Sequence, residues 1–218
     1  MTEHAALMDR IYRHQRYIYD FTRKYYLFGR DRLIKELALR PGARVIEVGC
    51  GTSRNLIKIA RAYPDAVLFG LDASSEMLAA SEKAIRRAGL EGRIKLVLAY
   101  AEDLSPGLFG EAAPFDSAVF SYSLSMIPDW RKALAAAHGA LAPDGTVRVV
   151  DFGDLKGLSP AGERLLRGWL GLFHVAPREE LLKAIEGGGP RPAGLKLLAG
   201  RYAFLWTAGQ DDAFWSAA

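Results

Sequence analysis

Cysteine is almost absent from this 218-residue chain; Cys50 stands alone. A single thiol excludes an intramolecular disulfide and any cysteine-rich metal site. Histidine is scarce as well, with four in all, and none falls in an H-x-x-x-H or E-x-x-H spacing. No metal is therefore expected. No apolar run approaches the roughly 20 residues that a spanning helix needs. The opening "MTEHAALMDRIYRH" carries charge throughout, unlike a secretory signal. These absences together point to a soluble or membrane-surface protein in a reducing, cytoplasmic compartment. One more lack is local. "VIEVGCGTSRNL", residues 45–56, sets a glycine turn behind an apolar run, and no lysine follows it.

Half the residues are hydrophobic and a quarter charged, as in an ordinary globular domain, and the length suits a single one. Net charge is +4, but its placement is uneven. From Arg10 to Arg40, nine Lys or Arg face three acids, so the rest of the chain is slightly acidic. A basic segment of this kind either meets an anionic membrane surface or nucleic acid, or is a solvated helical face.

Hydrophobic periodicity divides the chain into alternating strands and helices. Residues from about 5 to 39 read as helical, closed by Pro41-Gly42. "ARVIEVG" is a strand, and "SRNLIKIARAYP" a helix ended by Pro64. "AVLFGLDAS" is a strand, and "SSEMLAASEKAIRRAG" a helix with Ser74 as N-cap and Gly89 as stop. "RIKLVLAYAEDL" and "FDSAVFSYS" continue as strands, "DWRKALAAAHGAL" as a helix, and "APDGTVRVVDF" as a turn and a strand. Two helices, "AGERLLRGWLGLF" and "PREELLKAIEG", precede an antiparallel pair around Ala199-Gly200. The pattern predicts a mostly parallel sheet covered on both faces. Ligands of such sheets bind beyond the carboxyl ends of the strands. Residues 1–40 are expected to form a helical lid or substrate arm on the domain built by 41–218.

Three readings compete for the glycine turn. A phosphate loop G-x-x-x-x-G-K-[ST] needs the missing lysine. A dinucleotide fingerprint G-x-G-x-x-G would put its third glycine at Arg54. Glu47, two residues before Gly49, would also repel a pyrophosphate. S-adenosylmethionine has no phosphate and carries an ammonium and a sulfonium, so Glu47 becomes a ligand for the amino group, directly or through water. Gly49 and Gly51 let the backbone approach it without a Cβ between. Asp72, ending the next strand, is placed for the ribose hydroxyls. The Ala101 N–H and the Glu102 or Asp103 side chain are placed for the adenine, and Ser121 for the methionine portion.

Four elements in this order on consecutive strands resemble the class I methyltransferases across residues 41–152. The resemblance implies a Rossmann-like α/β fold with a seven-stranded, mostly parallel sheet, helices on both faces and an antiparallel C-terminal strand. Ser53 stands where that family's G-x-G-x-G loop most often has its third glycine, and Tyr100 where many members have Asp or Asn.

"IYRHQRYIYDFTRKYYLFGRDRLI", "EVGCGTSRNL", "GLDASSEML", "YSLSMIPDW", "VDFGDL" and "FHVAPREEL" together resemble the diacylglyceryl-homoserine N-methyltransferases of bacterial betaine-lipid synthesis. That likeness implies trimethylation of a lipid amine, with S-adenosylhomocysteine as coproduct and an anionic membrane face as working surface. It also implies a partnership with the preceding enzyme of the pathway, and no nucleic acid. The product is a fixed cation, which tyrosine faces attract by roughly 0.5–2 kcal/mol each. Tyr19, Tyr25, Tyr26 and Tyr122 are the candidate walls, with Tyr25 and Tyr122 nearest the chemistry. Arg23, Arg30 and Arg32 are candidates for the headgroup carboxylate, Arg30 first because Gly29 lets the chain turn. His174 or His14 can take the amine proton. A soluble small-molecule acceptor, RNA, and a non-catalytic cofactor-binding role remain the alternatives. Cys50 reads as a loop filler rather than a nucleophile.

Overall fold

The computed structural model describes residues 27–171, 178–187, 192 and 194–217. Tyr19, Arg23, Tyr25, Tyr26 and His174, with most of the basic arm, lie outside the described residues.

The described chain opens with α1 (Arg30–Lys35), then β1 (Arg44–Val48), α2 (Arg54–Ala62), β2 (Val67–Asp72), α3 (Ser75–Arg87) and β3 (Ile94–Leu98). Two 3₁₀ turns, Ala101–Asp103 and Pro106–Phe109, lead to β4 (Phe115–Ser121) and α4 (Trp130–Gly139). After β5 (Leu141–Phe152) come α5 (Pro160–Gly171), α6 (Glu179–Glu186), β6 (Leu195–Leu198), β7 (Ala203–Gly209) and α7 (Phe214–Ala217). The seven strands form one sheet in the order β3-β2-β1-β4-β5-β7-β6. Strands β1 to β5 run parallel, and β7 runs antiparallel to both β5 and β6. The Rossmann-like sheet expected from the sequence is the one observed.

Most predicted boundaries follow from single residues. Ser74 caps α3, its hydroxyl accepting the Met77 N–H at 3.3 Å, and α2 stops before Pro64. Two expectations are corrected. The helix expected to run to residue 39 ends at Lys35, because its carbonyls find tertiary donors: Tyr63 Oη donates to Ile34 O at 3.1 Å and Arg148 to Glu36 O at 3.1 Å. Strand β5 starts at Leu141, before the expected Pro143–Gly145 turn, which it absorbs as a shift in register opposite Phe115 and Ser117.

Alternate residues of each strand feed two apolar clusters, one per face. Ile46, Phe69, Phe120 and Val149 pack under α4 and α6; Val45, Leu68, Val119 and Val150 pack under α1, α2 and α3. Each such side chain contributes about 1.5–3 kcal/mol on burial, whereas an exposed ion pair contributes about 0–1 kcal/mol. Packing, not surface charge, therefore sets the sheet.

Because β1 has β2 on one side and β4 on the other, the crossovers diverge at β1 and leave a crevice at its carboxyl end. Beyond β5 the backbone presses against the β6–β7 turn. Cβ atoms added at Gly153 and Gly157 would stand 2.0 and 2.2 Å from the carbonyls of Arg201 and Gly200. The buried Asp154 carboxylate locks this contact, accepting from Arg201 Nε at 2.7 Å and from its terminal nitrogen at 2.8 Å. Gly153→Ala is expected to lower stability by at least about 1–3 kcal/mol, since backbone is the obstacle. Gly139→Ala, with open space around it, should change it by about 1 kcal/mol or less, in the stabilising direction. Urea titrations of the two variants check the contrast.

Candidate active site

The crevice is built from turns that follow β1, β2, β3 and β4. After Val48 the chain bends sharply, with Gly49 at φ +72° and Gly51 at φ +54°. The N–H groups of Gly49 and Cys50 both donate to Leu71 O, at 2.8 and 3.0 Å, which ties the bend to β2. On its other side Ser123 Oγ donates to Val48 O at 2.8 Å. A Cβ at Gly49 would meet Ser123 Cβ at 2.6 Å, so glycine is required there twice over, for conformation and for space. Ser53, in place of a third glycine, adopts the left-handed region itself, at φ 57° and ψ 25°. Its buried hydroxyl is bonded to that of Ser81 on α3, which offsets the strain.

Asp72 joins two of the turns. Its Oδ2 accepts the Gly51 N–H at 2.8 Å and its Oδ1 the Ser74 N–H at 2.9 Å. Carboxylate oxygens accept more than one bond each, so this carboxylate can also receive hydroxyls from the crevice. Glu47 is 2% exposed and lies beneath the bend. Its Oε1 accepts from Asn55 Nδ2 at 2.7 Å. Burial, then the charges of Asp72 and Glu47, push the Cys50 thiol well above its usual range. That thiol stays protonated and is unsuited to nucleophilic attack.

The resulting cleft has a volume of about 470 Å³. Gly49, Gly51, Asp72, Ala101, Glu102 and Tyr122, all expected in the site, line it together. The sequence reading missed Ser74, Met77, Ser123, Met126, Ile127 and Pro128, which line it as well. Residues 122–128 follow the carboxyl end of a strand, where such sheets bind their ligands, and that was the available signal. Ser121 ends β4 but does not line the cleft; Tyr122 and Ser123 do. Arg32 is turned away and paired with Glu36 at 2.8 Å. Arg30, also not on the lining, reaches Leu27 O at 3.4 Å.

Tyr122 takes an unusual backbone conformation, φ 57°. It is buried, its ring edge-on to Phe152 at 4.6 Å, and its hydroxyl donates to Phe28 O at 2.6 Å. Burial, followed by Tyr202 and Asp151, raises its phenol well above the ordinary value. Tyr122 is thus a wall and a latch rather than a proton acceptor. Asp72, Glu102 and Asp103 are the charged residues of the lining, and no Lys, Arg or His is among its described residues. Such a cleft disfavours phosphate and favours a cation.

The cradle fits a cationic sulfur nucleoside: the bend at Gly49 and Gly51 admits close approach, and the Asp72 carboxylate on the lining offers acceptors for hydroxyls. Residues 45–145 match a family model described as a methyltransferase domain. A ubiquinone/menaquinone biosynthesis C-methyltransferase UbiE from Syntrophotalea carbinolica is 31% identical over 167 residues, 73% of this chain and 65% of that protein. The enzyme of the same name from Geotalea daltonii is 28% identical over 140 residues, covering 62% of this chain and 58% of that protein. The chain thus spans less than two thirds of the length of these curated relatives. The apo crystal structure of the S-adenosylmethionine-dependent methyltransferase SibL shares the fold, with a TM-score of 0.65 and 22% identity over 88% of this chain and 56% of its own.

Residues 45–145 thus carry a methyltransferase domain, and the cofactor is S-adenosylmethionine.

In this methyltransferase domain Asp72→Ala would leave two backbone N–H groups without their acceptor besides removing a ligand for hydroxyls. It should weaken S-adenosylhomocysteine binding by about 1–3 kcal/mol; unchanged affinity by calorimetry would remove Asp72 from the site. Gly49→Ala should abolish binding, because the new methyl and Ser123 cannot both keep their places.

Proposed function

We propose that the chain is an N-methyltransferase that converts diacylglyceryl-homoserine to its trimethylated betaine by three methyl transfers. The observation that carries this reading is the sign of the cleft, with Asp72, Glu102 and Asp103 on its lining and Glu47 buried beneath. Such a field stabilises an acceptor whose positive charge becomes permanent. The extended likeness of "IYRHQRYIYDFTRKYYLFGRDRLI" and the later segments to the betaine-lipid enzymes supplies the substrate. The bound cofactor supplies an electrophilic methyl on a positively charged sulfur.

The chain's own residues orient and exclude water. Gly49 and Gly51 bring backbone against the methionine portion, Asp72 takes the ribose, and Ala101 with Glu102 or Asp103 takes the adenine. Tyr122 walls the acceptor side. Each transfer needs a neutral amine, so the ammonium loses one proton before every methylation, three in all, and His174 or His14 is proposed to take them. Residues 1–40 act as lid and headgroup arm, with Tyr19, Tyr25 and Tyr26 around the ammonium and Arg23 or Arg30 on the carboxylate. Arg32, held by Glu36, serves only if that pair opens.

The described residues include no helix long and apolar enough to cross a membrane. The proposed working place is the anionic inner face of the membrane, reached through the basic arm. There each adjacent Lys or Arg contributes about 1 kcal/mol. Partnership with the preceding enzyme of the pathway belongs to the same reading. The curated relatives favour a second reading, C-methylation of a quinone precursor.

Incubation with S-adenosylmethionine and either diacylglyceryl-homoserine or a demethylated quinone, followed by mass spectrometry, separates the two. Mono-, di- and trimethylated lipid is the expected product; a methylated quinone with unchanged lipid would overturn the proposal. A chain beginning at Leu27 should retain affinity for S-adenosylhomocysteine and lose lipid methylation. Retained trimethylation would refute the arm's role.

A further inference from the structure

The acceptor side of the cleft is one backbone turn, Ser123–Pro128, with few side-chain anchors of its own. Its Met126 and Ile127 N–H groups close locally on Ser123 O, both at 3.0 Å. Apart from the Ser123 Oγ bond to Val48 O, what holds it against the sheet comes from elsewhere. Asp151, near the end of β5, is 1% exposed. Its Oδ2 accepts the Ser125 N–H at 3.0 Å, while Oδ1 accepts the N–H of Phe152 at 2.8 Å. Arg178, the N-cap of α6, donates to the carbonyls of Ser125 and Pro128, each at 3.4 Å. The methyl-transfer chemistry has no use for either residue, and neither lines the cleft.

A buried carboxylate is costly unless its bonds matter to the fold or the site. Here it satisfies one amide of the very turn that supplies Ser123, Met126, Ile127 and Pro128 to the lining. We propose that Asp151 is a positioning residue for the methyl acceptor: its carboxylate fixes the Ser123–Pro128 turn and so sets the affinity of that half of the cleft. The inference rests on the methyltransferase reading of the cleft and adds the residue that shapes its acceptor wall.

The anchor is sensitive to protons. Burial raises the Asp151 carboxyl to about 6, opposed by the Phe152 and Ser125 N–H groups and by Arg178. The charged or titratable groups that face it are Arg178 from α6 and Tyr122 from the end of β4; Phe204, its partner on β7, is apolar. Above this value both oxygens accept. Below it, a proton occupies one oxygen and that acceptor is lost. Acceptor binding should therefore weaken as pH falls through the carboxyl's titration.

Asp151→Asn puts an amide nitrogen against one of the two N–H donors at every pH. With diacylglyceryl-homoserine as acceptor, its KM should rise roughly tenfold, with kcat changing less and S-adenosylhomocysteine affinity unchanged. The ratio of variant to wild-type KM should shrink as pH falls, because the wild type then loses the same acceptor; titration of the substrate amine cancels in that ratio. Amide exchange of residues 123–128 should quicken in the variant while residues 45–56 keep their protection, a readout that needs no acceptor. Arg178→Ala, which leaves the core intact, should move the wild-type inflection in KM and exchange to higher pH, so the idea stays testable if Asp151→Asn does not fold. Unaltered exchange at Ser125, a KM ratio independent of pH, or no shift in Arg178→Ala would overturn it. Wild-type protein that fails to bind S-adenosylhomocysteine would instead overturn the reading of the cleft itself.

Discussion

At the carboxyl ends of β1 and β4 two backbone turns pass so closely that a single Cβ would part them: one added at Gly49 would stand 2.6 Å from Ser123 Cβ. Around that crossing the remaining groups fall into order. Leu71 O takes two amides of the bend, Ser123 Oγ returns to Val48 O, and Asp72 spans from Gly51 to Ser74. Each bond satisfies a backbone group that would otherwise be left unpaired at a strand end. The product is a stiff cradle whose charge comes from carboxylates. A ligand with a phosphate would meet repulsion there, and one with a sulfonium and an ammonium meets attraction.

The half of the cleft that follows β4 is held differently. Tyr122 is bulky and sits at positive φ, a conformation that costs a side chain of its kind roughly 1–3 kcal/mol. The strain is offset by burial of its ring against Phe152 and by the hydroxyl bond to Phe28 O. That bond ties the backbone just before α1 to the wall of the cleft. α1 is clamped alongside, with Asp31 paired to Arg54 at 2.7 Å and to Lys58 at 2.8 Å, both from α2.

Much of this was legible in the order of residues. Period-two and period-3.6 hydrophobic patterns, Ser74 as a cap, Pro64 as a stop and the alternation of strand with helix are local signals. They record what a segment does with its own neighbours in sequence. The position of Asp72 at a strand end was readable for the same reason. What escaped were contacts made at long range. Tyr63 and Arg148 end α1 early by capturing its carbonyls, and nothing near residue 36 announces either. Glu47, expected to meet the cofactor's amino group directly or through water, is buried and accepts from Asn55, a bond the sequence did not announce. The residue after Ser121, rather than Ser121, lines the cleft, where Tyr122 takes a left-handed backbone conformation.

The sequence by itself determined the fold class, the sign of the cofactor cleft and the glycines at its rim. Those depend on periodicity, on charge and on the absence of a Cβ, all properties of single residues or short runs. Only the tertiary structure decided that Asp72 braces two loops, that Tyr122 latches the chain at Phe28, and that Asp151 and Arg178 both bond the turn after β4. Such pairings join residues tens of positions apart, and the geometry of a hydrogen bond between them exists only once the sheet has brought their strands side by side.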